Sequence, residues 1–220
     1  MQIPTYNENR MPQGNNNLNS KNMAKKKNQI ERVNFHKQFQ LHKLCAIDDL
    51  RPVMQNVYFK DGYAFATNAH AAIKAKVSDI CNLPEEQQEM LNGHGIYAKH
   101  FELILKANFI QVSKTGEGET EKVTITVLGE NNNKIDIPMV NDLKYPDIDK
   151  VLTTDPAADR FLTCVGFNYH LLGLLKAAMG ITSGRIEFNF TGHGSCPIQV
   201  RSNDILGLDI QGIIMPILID

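Results

Sequence analysis

Three things are scarce in this 220-residue sequence: long apolar runs, cysteines and net charge. No stretch approaches the roughly 18–20 apolar residues that span a bilayer, and the N-terminus lacks the apolar core of a signal peptide. The expectation is a cytoplasmic protein with no membrane partner. Lys and Arg total 23 against 24 Asp and Glu, a formal net charge of −1. That balance excludes coating of nucleic acid by bulk attraction and leaves room for a local basic lining. The four cysteines, Cys45, Cys81, Cys164 and Cys196, are far apart and form no C-x-x-C pair, so they read as reduced thiols.

Motifs for catalysis are missing as well. His94, His100, His193 and the cysteines have no zinc-ligand spacing. Gly192-His193-Gly194-Ser195 is not a nucleophile elbow, and there is no Walker-type phosphate loop. The chain therefore reads as a non-enzyme with no cofactor and no metal site. An unrelated α+β enzyme with an unrecognised site is the third alternative, behind the two binding functions set out below.

What is present suits one or two domains with a real core, since 42% of residues are hydrophobic. Residues 1–30 are the exception. They hold Asn15-Asn16-Asn17 and Lys25-Lys26-Lys27 and few apolar side chains, the composition of a disordered polar tail. The lysine run has two readings, contact with DNA phosphate or simple solvation.

Beyond the tail one pattern recurs three times: a short strand, a helix, then strands. The first unit runs from Val33-Asn34-Phe35 through a helix ending near Ala46, with strands at Met54–Phe59 and Tyr63–Val77 around the Lys60-Asp61-Gly62 turn. The second has a strand at His94–Tyr97, a helix at Ala98–Ala107 and strands near Phe109–Ser113, Val123–Leu128 and Lys134–Val140. The third has Phe161–Phe167, a helix at Asn168–Met179, and strands at Arg185–Phe190, Pro197–Arg201 and Gly212–Leu218. Phe101, Ile104 and Leu105 share one helix face, as do Leu171, Leu172, Leu175 and Met179. Asn168 is the expected N-cap and Gly180 the stop. Asn141–Pro156 reads as an extended linker, because Tyr145-Pro146 and Asp155-Pro156 disfavour helix. The fold class is α+β, with helices on one face of antiparallel sheets. Residues 31–152 form a two-unit domain and 153–220 a half-domain.

The sequence closes on Gly212-Ile213-Ile214-Met215-Pro216-Ile217-Leu218-Ile219-Asp220. Such a run must finish a sheet or line a surface that a partner covers, because a chain end frays unless tied down. Pro216 cannot donate to a strand ladder, which favours a strand exit.

Three separated stretches resemble a known family. Asp49-Leu50-Arg51-Pro52-Val53-Met54-Gln55-Asn56-Val57-Tyr58-Phe59, followed by Ala64-Phe65-Ala66-Thr67-Asn68-Ala69-His70, resembles a stretch in the middle domain of the bacterial DNA polymerase III beta subunit, the sliding clamp. Leu143-Lys144-Tyr145-Pro146-Asp147-Ile148-Asp149-Lys150-Val151-Leu152 resembles the segment that closes that domain. Phe167-Asn168-Tyr169-His170-Leu171-Leu172 and the later Ile213-Ile214-Met215-Pro216-Ile217 resemble its C-terminal half-domain. Order and approximate spacing are kept over most of residues 33–220, and the chain looks like a shortened form.

The resemblance implies DNA-clamp-like repeats in a ring that encircles duplex DNA without regard to sequence. It implies tethering of a DNA polymerase and other clamp-binding-motif proteins, with a separate clamp loader. It also implies a peptide pocket. Met54, Thr67, Ala69, His70 and Ala72 would form one wall. Pro146 and Val151 would form a second, and Ile213, Ile214, Met215, Pro216 and Ile217 the third. An apolar groove of this kind takes an extended peptide by burying leucine- or phenylalanine-type anchors. His70 is read either as a peptide contact or as a structural hydrogen-bonder, and Met215 either as pocket or as core. Where the family carries an acid, a glycine and, after the histidine, an arginine, this chain has Asn68, Ala69 and Ala71, which makes the pocket less charged. Lys43, Lys99, Lys106 and Lys176 lie off or beside the apolar helix faces and are the DNA-facing candidates, with plain solvation as the alternative. A half-domain leaves an open sheet edge, so the chain is expected to oligomerise, and a closed ring of such units would need about four copies. The alternative function is a clamp-derived peptide-binding module or decoy that does not encircle DNA.

Overall fold

A computed structural model describes residues 32–116, 118, 121–129, 133–152, 165–183, 185–190 and 196–217. The tail reading for residues 1–30, Cys164 and most of the Phe161–Phe167 strand lie outside them. Among the described residues ten strands form two sheets. The larger contains β1 (Asn56–Lys60), β2 (Tyr63–Thr67), β3 (Ala71–Lys76), β4 (Gly95–Tyr97), β8 (Ile186–Phe190), β9 (Ile198–Ser202) and β10 (Ile210–Ile214), in the order β4-β1-β2-β3-β10-β9-β8. The smaller is β5 (Phe109–Thr115), β6 (Lys122–Leu128) and β7 (Lys134–Pro138). Every strand pairing is antiparallel. The expected α+β class with antiparallel sheets is what the structure shows.

Among the described residues five α-helices accompany them: α1 (Val77–Ile80), α2 (Glu85–Glu89), α3 (Ala98–Lys106), α4 (Ile148–Leu152) and α5 (Tyr169–Ala178). The helices α3 and α5 follow the amphipathic pattern. They bury Phe101, Ile104 and Leu105, and Leu175 and Ala178, against one face of the sheets. Asn168 caps α5, its side-chain oxygen accepting from the His170 amide. At the other end the Ile181 amide donates to the Lys176 carbonyl and the Gly180 amide to the Ala177 carbonyl, a Schellman closure with Gly180 at φ +72°. Buried Asn34 closes α3 by donating to the carbonyls of Ile104 (2.6 Å) and Ala107 (2.9 Å). Arg32 joins it by donating to Leu105 at 2.9 Å. Both supply donors that the last helical turn lacks.

Register follows from alternation. On one face of the large sheet Val57, Phe59, Ala64, Ala66, Ala71, Ile73, Gly212 and Ile214 point into the main core. Tyr58, Phe65, Ala72, Lys74 and Ile213 point to the opposite face. The β1–β2 hairpin closes through Asp61 and Gly62 at φ +51° and +78°, the left-handed pair that a two-residue turn demands.

Four expectations are corrected. The first unit has no long helix, only a 3₁₀ turn at Leu41–Leu44. Phe39 and Gln40 explain this. The Phe39 ring fills the space beside Gly180, and the Gln40 amide donates to Ala177 at 3.1 Å, so docking on α5 overrides a weak helical period. Met54 and Gln55 belong to a 3₁₀ turn, Pro52–Gln55, rather than to β1. The long strand Tyr63–Val77 is broken at residues 68–70. The linker is not extended throughout: α4 forms where the two X-Pro constraints do not reach, and the Asp147 side chain accepts from the Lys150 amide at 3.3 Å, as an N-cap does.

Two outcomes are expected. Gly180→Ala places a Cβ 2.7 Å from the Phe39 ring at a positive φ, and should lower unfolding stability by about 1–3 kcal/mol in urea titration. Burial raises the Cys45 thiol pKa far above its ordinary value and pushes Cys81 up to about 11. In the native protein iodoacetamide should therefore modify half-exposed Cys196 and spare both buried thiols, as read by peptide mass mapping.

Candidate functional site

The ladder between β3 and β10 sets the site. Ala72 lies opposite Ile213 and Ala71 opposite Ile214, and beyond the strands the Met215 amide donates to the His70 carbonyl at 2.8 Å. The Ile217 amide donates to Gly166 at 2.7 Å, while Pro216 has no amide to give. Ala69, His70, Met215, Pro216 and Ile217 thus gather at one end of the large sheet. His70, Ala69 and Ile217 are exposed and the other two half-buried. Met54 sits at the same end, on the turn leading into β1, three strands from β10.

The β2–β3 turn is held by its own polar groups. The Ala69 amide donates to Thr67 Oγ1, and the His70 and Ala71 amides both donate to Asn68 Oδ1. Thr67 Oγ1 in turn donates to the Ala71 carbonyl at 2.9 Å. Thr67 is buried and its hydroxyl committed, so it shapes the turn and offers nothing to a ligand. Ala69 has φ +71°, a left-handed conformation that favours glycine. Ile214 is fully buried on the core face, so it lies across the sheet from any groove lined by Ile213.

The opposite face carries a second apolar cluster: Phe65, Ala72, Ile148, Leu152 and Ile213, flanked by Tyr58, Tyr63, Tyr145 and Val151. The predicted residues Ala72, Val151 and Ile213 do meet there, and α4 lies over them. Ala72 is 3% and Ile213 4% exposed, so no groove is open between them. Phe65, Tyr58, Ile148 and Leu152 were not foreseen as members, although the alternation Tyr63, Phe65, Thr67 marks one strand face in the sequence. Tyr145 stacks on Tyr58 with ring centroids 5.0 Å apart, and its hydroxyl donates to the Asn56 carbonyl at 3.2 Å. Burial pushes the Tyr145 phenol well above its usual pKa. Lys74 Nζ lies 2.6 Å from Asp149 Oδ1 and 4.2 Å from the centroid of the Tyr63 ring. Beside the cluster, Tyr58, Lys60, Phe65, Leu143, Pro146 and Ile148 line an open cleft of about 270 Å³. Such a surface can hold an extended apolar segment with an acidic neighbour.

The helix-bearing face carries the four lysines. All are exposed, with Lys99 and Lys106 on α3 and Lys176 on α5. Lys43 stands on the 3₁₀ turn rather than on a helix. It borders two clefts. One, of about 410 Å³, also contains Lys37, His42, Glu102 and Lys106, and the other, of about 260 Å³, contains Gln38, Lys176 and Thr182. Lys106 pairs with Glu102 at 2.8 Å and holds that carboxyl below its ordinary pKa. The His42 imidazole is lowered chiefly by burial, with Lys43 and Lys106 adding to the effect and Glu102 opposing it. Lys37 and Gln38 went unnoticed in the sequence because no periodicity places them. Lys99 lies within 6.0 Å of the Tyr97 ring centroid. Among the described residues there is no metal-binding cluster and no helix long and apolar enough to cross a membrane.

No family model and no curated protein matches the sequence. Among solved structures, the chain is similar to the DNA polymerase III beta chain of Streptococcus pneumoniae TIGR4, with a TM-score of 0.56 and 12% identity over 83% of this chain and 62% of that one. It is also similar to the DNA polymerase III subunit beta of Pseudomonas aeruginosa, at TM-score 0.48 and 13% identity over 83% of this chain and 65% of that one. The chain thus spans less than two thirds of the length of either. The likeness to the first shows a shared architecture: this chain has a clamp-like fold.

Proposed function

We propose that the chain is a non-enzymatic, sliding-clamp-like processivity factor. Copies assemble around duplex DNA and hold a polymerase or other replication proteins by short peptide segments, with a separate loader opening the ring. In this reading residues 31–152 form a two-unit domain, 153–220 a half-domain, and the protein works in the cytoplasm.

The observation that carries the proposal is the β3–β10 ladder, which brings the His70 turn and Met215–Ile217 to one end of a sheet beside the Tyr145–Leu152 segment. Ala69, His70, Met215, Pro216 and Ile217 are the peptide contacts it favours. Pro146 and Val151 flank them, while Ala72 and Ile213 form the floor under α4. The opposite, helix-bearing face supports the DNA side, because Lys43, Lys106 and Lys176 border neighbouring clefts there. Lys99 joins them on α3 as a looser phosphate contact. The case for self-association is the edge. Among the described residues β8 ends the large sheet with Phe190 47% exposed, a strand that a second copy can pair with.

Native mass should show an oligomer of about four copies, and the protein should stay on nicked circular DNA and leave after linearisation. A monomer that binds peptide without topological retention is the decoy instead. For a polymerase-tail peptide with leucine or phenylalanine anchors, Met215→Ala should weaken binding about tenfold, read by fluorescence anisotropy. Unchanged affinity removes Met215 from the site. Lys43→Gln and Lys176→Gln should each lower the slope of log affinity against log salt by roughly one, as a lost phosphate contact does.

A further inference from the structure

We infer that β7 is a homotypic docking edge: a second copy of this chain pairs with it antiparallel across a two-fold axis, in a register centred on Ile135. The contact shares only self-association with the function proposed above. It lies at a different edge from β8 and requires neither DNA nor peptide binding.

The two outer strands of the small sheet are treated differently. On β5 the Ile110 amide donates to the Val33 carbonyl at 2.9 Å and the Val112 amide to Gln87 Oε1 at 2.9 Å, so these outward donors are taken. Among the described residues nothing takes those of β7, the last strand of its sheet. Which groups they are follows from the ladder. The Met139 amide donates to the Val123 carbonyl and the Gly129 amide to the Asn133 carbonyl. With Ile125 opposite Ile137 and Val127 opposite Ile135, this alternation turns the backbone groups of the odd-numbered residues of β7 toward β6 and those of Lys134 and Asp136 outward.

Centred on Ile135, an antiparallel pair of β7 strands sets Lys134 opposite Asp136 of the second copy, and Asp136 opposite its Lys134. These are the residues whose amides and carbonyls point outward, so each of the two pairs can exchange two hydrogen bonds. Pro138, which has no amide, falls outside them.

Charge follows the same symmetry. A lysine by itself blunts an edge strand. Lys134 is balanced by Asp136 on the same side of the sheet, so the pattern complements its own two-fold image. Among the described residues no carboxylate pairs with Lys134. Asp136 Oδ1 accepts from Thr126 Oγ1 at 2.7 Å, which holds the carboxylate over the sheet. The other side points the same way. Ile135 shares its side with Val127, Ile125 and Ile137, which are 5%, 0% and 3% exposed, yet is itself 49% exposed. The central pair of the two-fold is a non-hydrogen-bonded one, in which side chains approach most closely, and it sets each Ile135 against the other.

The test uses the full chain and sedimentation equilibrium. Wild type should self-associate. Lys134→Glu and Asp136→Lys each put like charges opposite one another at both pairs and should each weaken association about tenfold. The double substitution Lys134→Glu/Asp136→Lys restores both pairs and should recover wild-type association, as should an equimolar mixture of the two single variants. In Ile135→Cys, mild oxidation should link two copies through the introduced thiols, identified by peptide mass mapping. A monomeric wild type overturns the inference and removes the self-association proposed at β8 with it. Single variants that associate like wild type, with unfolding midpoints that show them folded, overturn it alone and leave β8 as the edge in use. Absence of the link at position 135 overturns it as well. So does failure of both the double variant and the mixture to recover association, because loss without rescue reports a damaged strand rather than a paired one.

Discussion

One ladder, β3 against β10, holds this molecule in its functional form. It joins residues 71–76 to residues 210–214, far apart in the chain, in a single sheet. Loop closure over that separation is unfavourable until the contacts form. What offsets it is burial on both faces at once. Gly212 lies against Leu175 and Met179 and Ile214 is buried in the main core, while Ile213 packs with Phe65, Ala72 and α4. Gly212 is required because a Cβ there would sit 2.6 Å from the Met179 sulfur and 3.2 Å from Leu175. A strand with a buried face on either side cannot slip by one residue, since the slip would exchange Ile213 with Ile214.

The parts of this design that were legible in the sequence are those where local and tertiary demands agree. The helices α3 and α5 follow the 3.6-residue period and carry their own stops, and the Asp61-Gly62 turn dictates its hairpin. The first-unit helix failed because Phe39, Leu41, Leu44 and Cys45 are all buried, with Phe39 and Leu41 two residues apart. A straight helix cannot turn those two to one side, and the chain folds around the end of α5 instead. The helix α4 was hidden by its prolines, whose restrictions reach only the residue before each. Lys74 was unreadable for another reason. Its partner is 75 residues away, and nothing local in the alternating β3 pattern marks a cation that will lie over two aromatic rings.

At the candidate site the sequence named residues that the fold brings together in part, and it could not name their facing. Ala72, Val151 and Ile213 meet, and the Met215 amide reaches His70. Ile214, from the same motif as Ile213, turns into the core, whereas Thr67 is on the Ala72 face but is buried with its hydroxyl spent on the turn. A motif read along the chain carries no parity, whereas a pleated strand sends consecutive side chains to opposite faces. Only the register, fixed by Ala72 opposite Ile213, decides which half of the motif is available.

The same parity separates the two surfaces of the molecule. Everything that α3, α5 and the Leu41–Leu44 turn cover lies on one face of the large sheet, with lysines on the outer side of that layer. Everything that α4 covers lies on the other, where Lys74 lies over the Tyr63 and Phe65 rings, enclosed and paired. Phosphate attraction is long-ranged and tolerant of position, so it suits exposed lysines on short helices. In the proposed function, peptide recognition depends on burial and on few directed contacts, which an apolar face with an enclosed cation offers. In the proposed function a single antiparallel sheet, seven strands wide among the described residues, keeps these two surfaces apart.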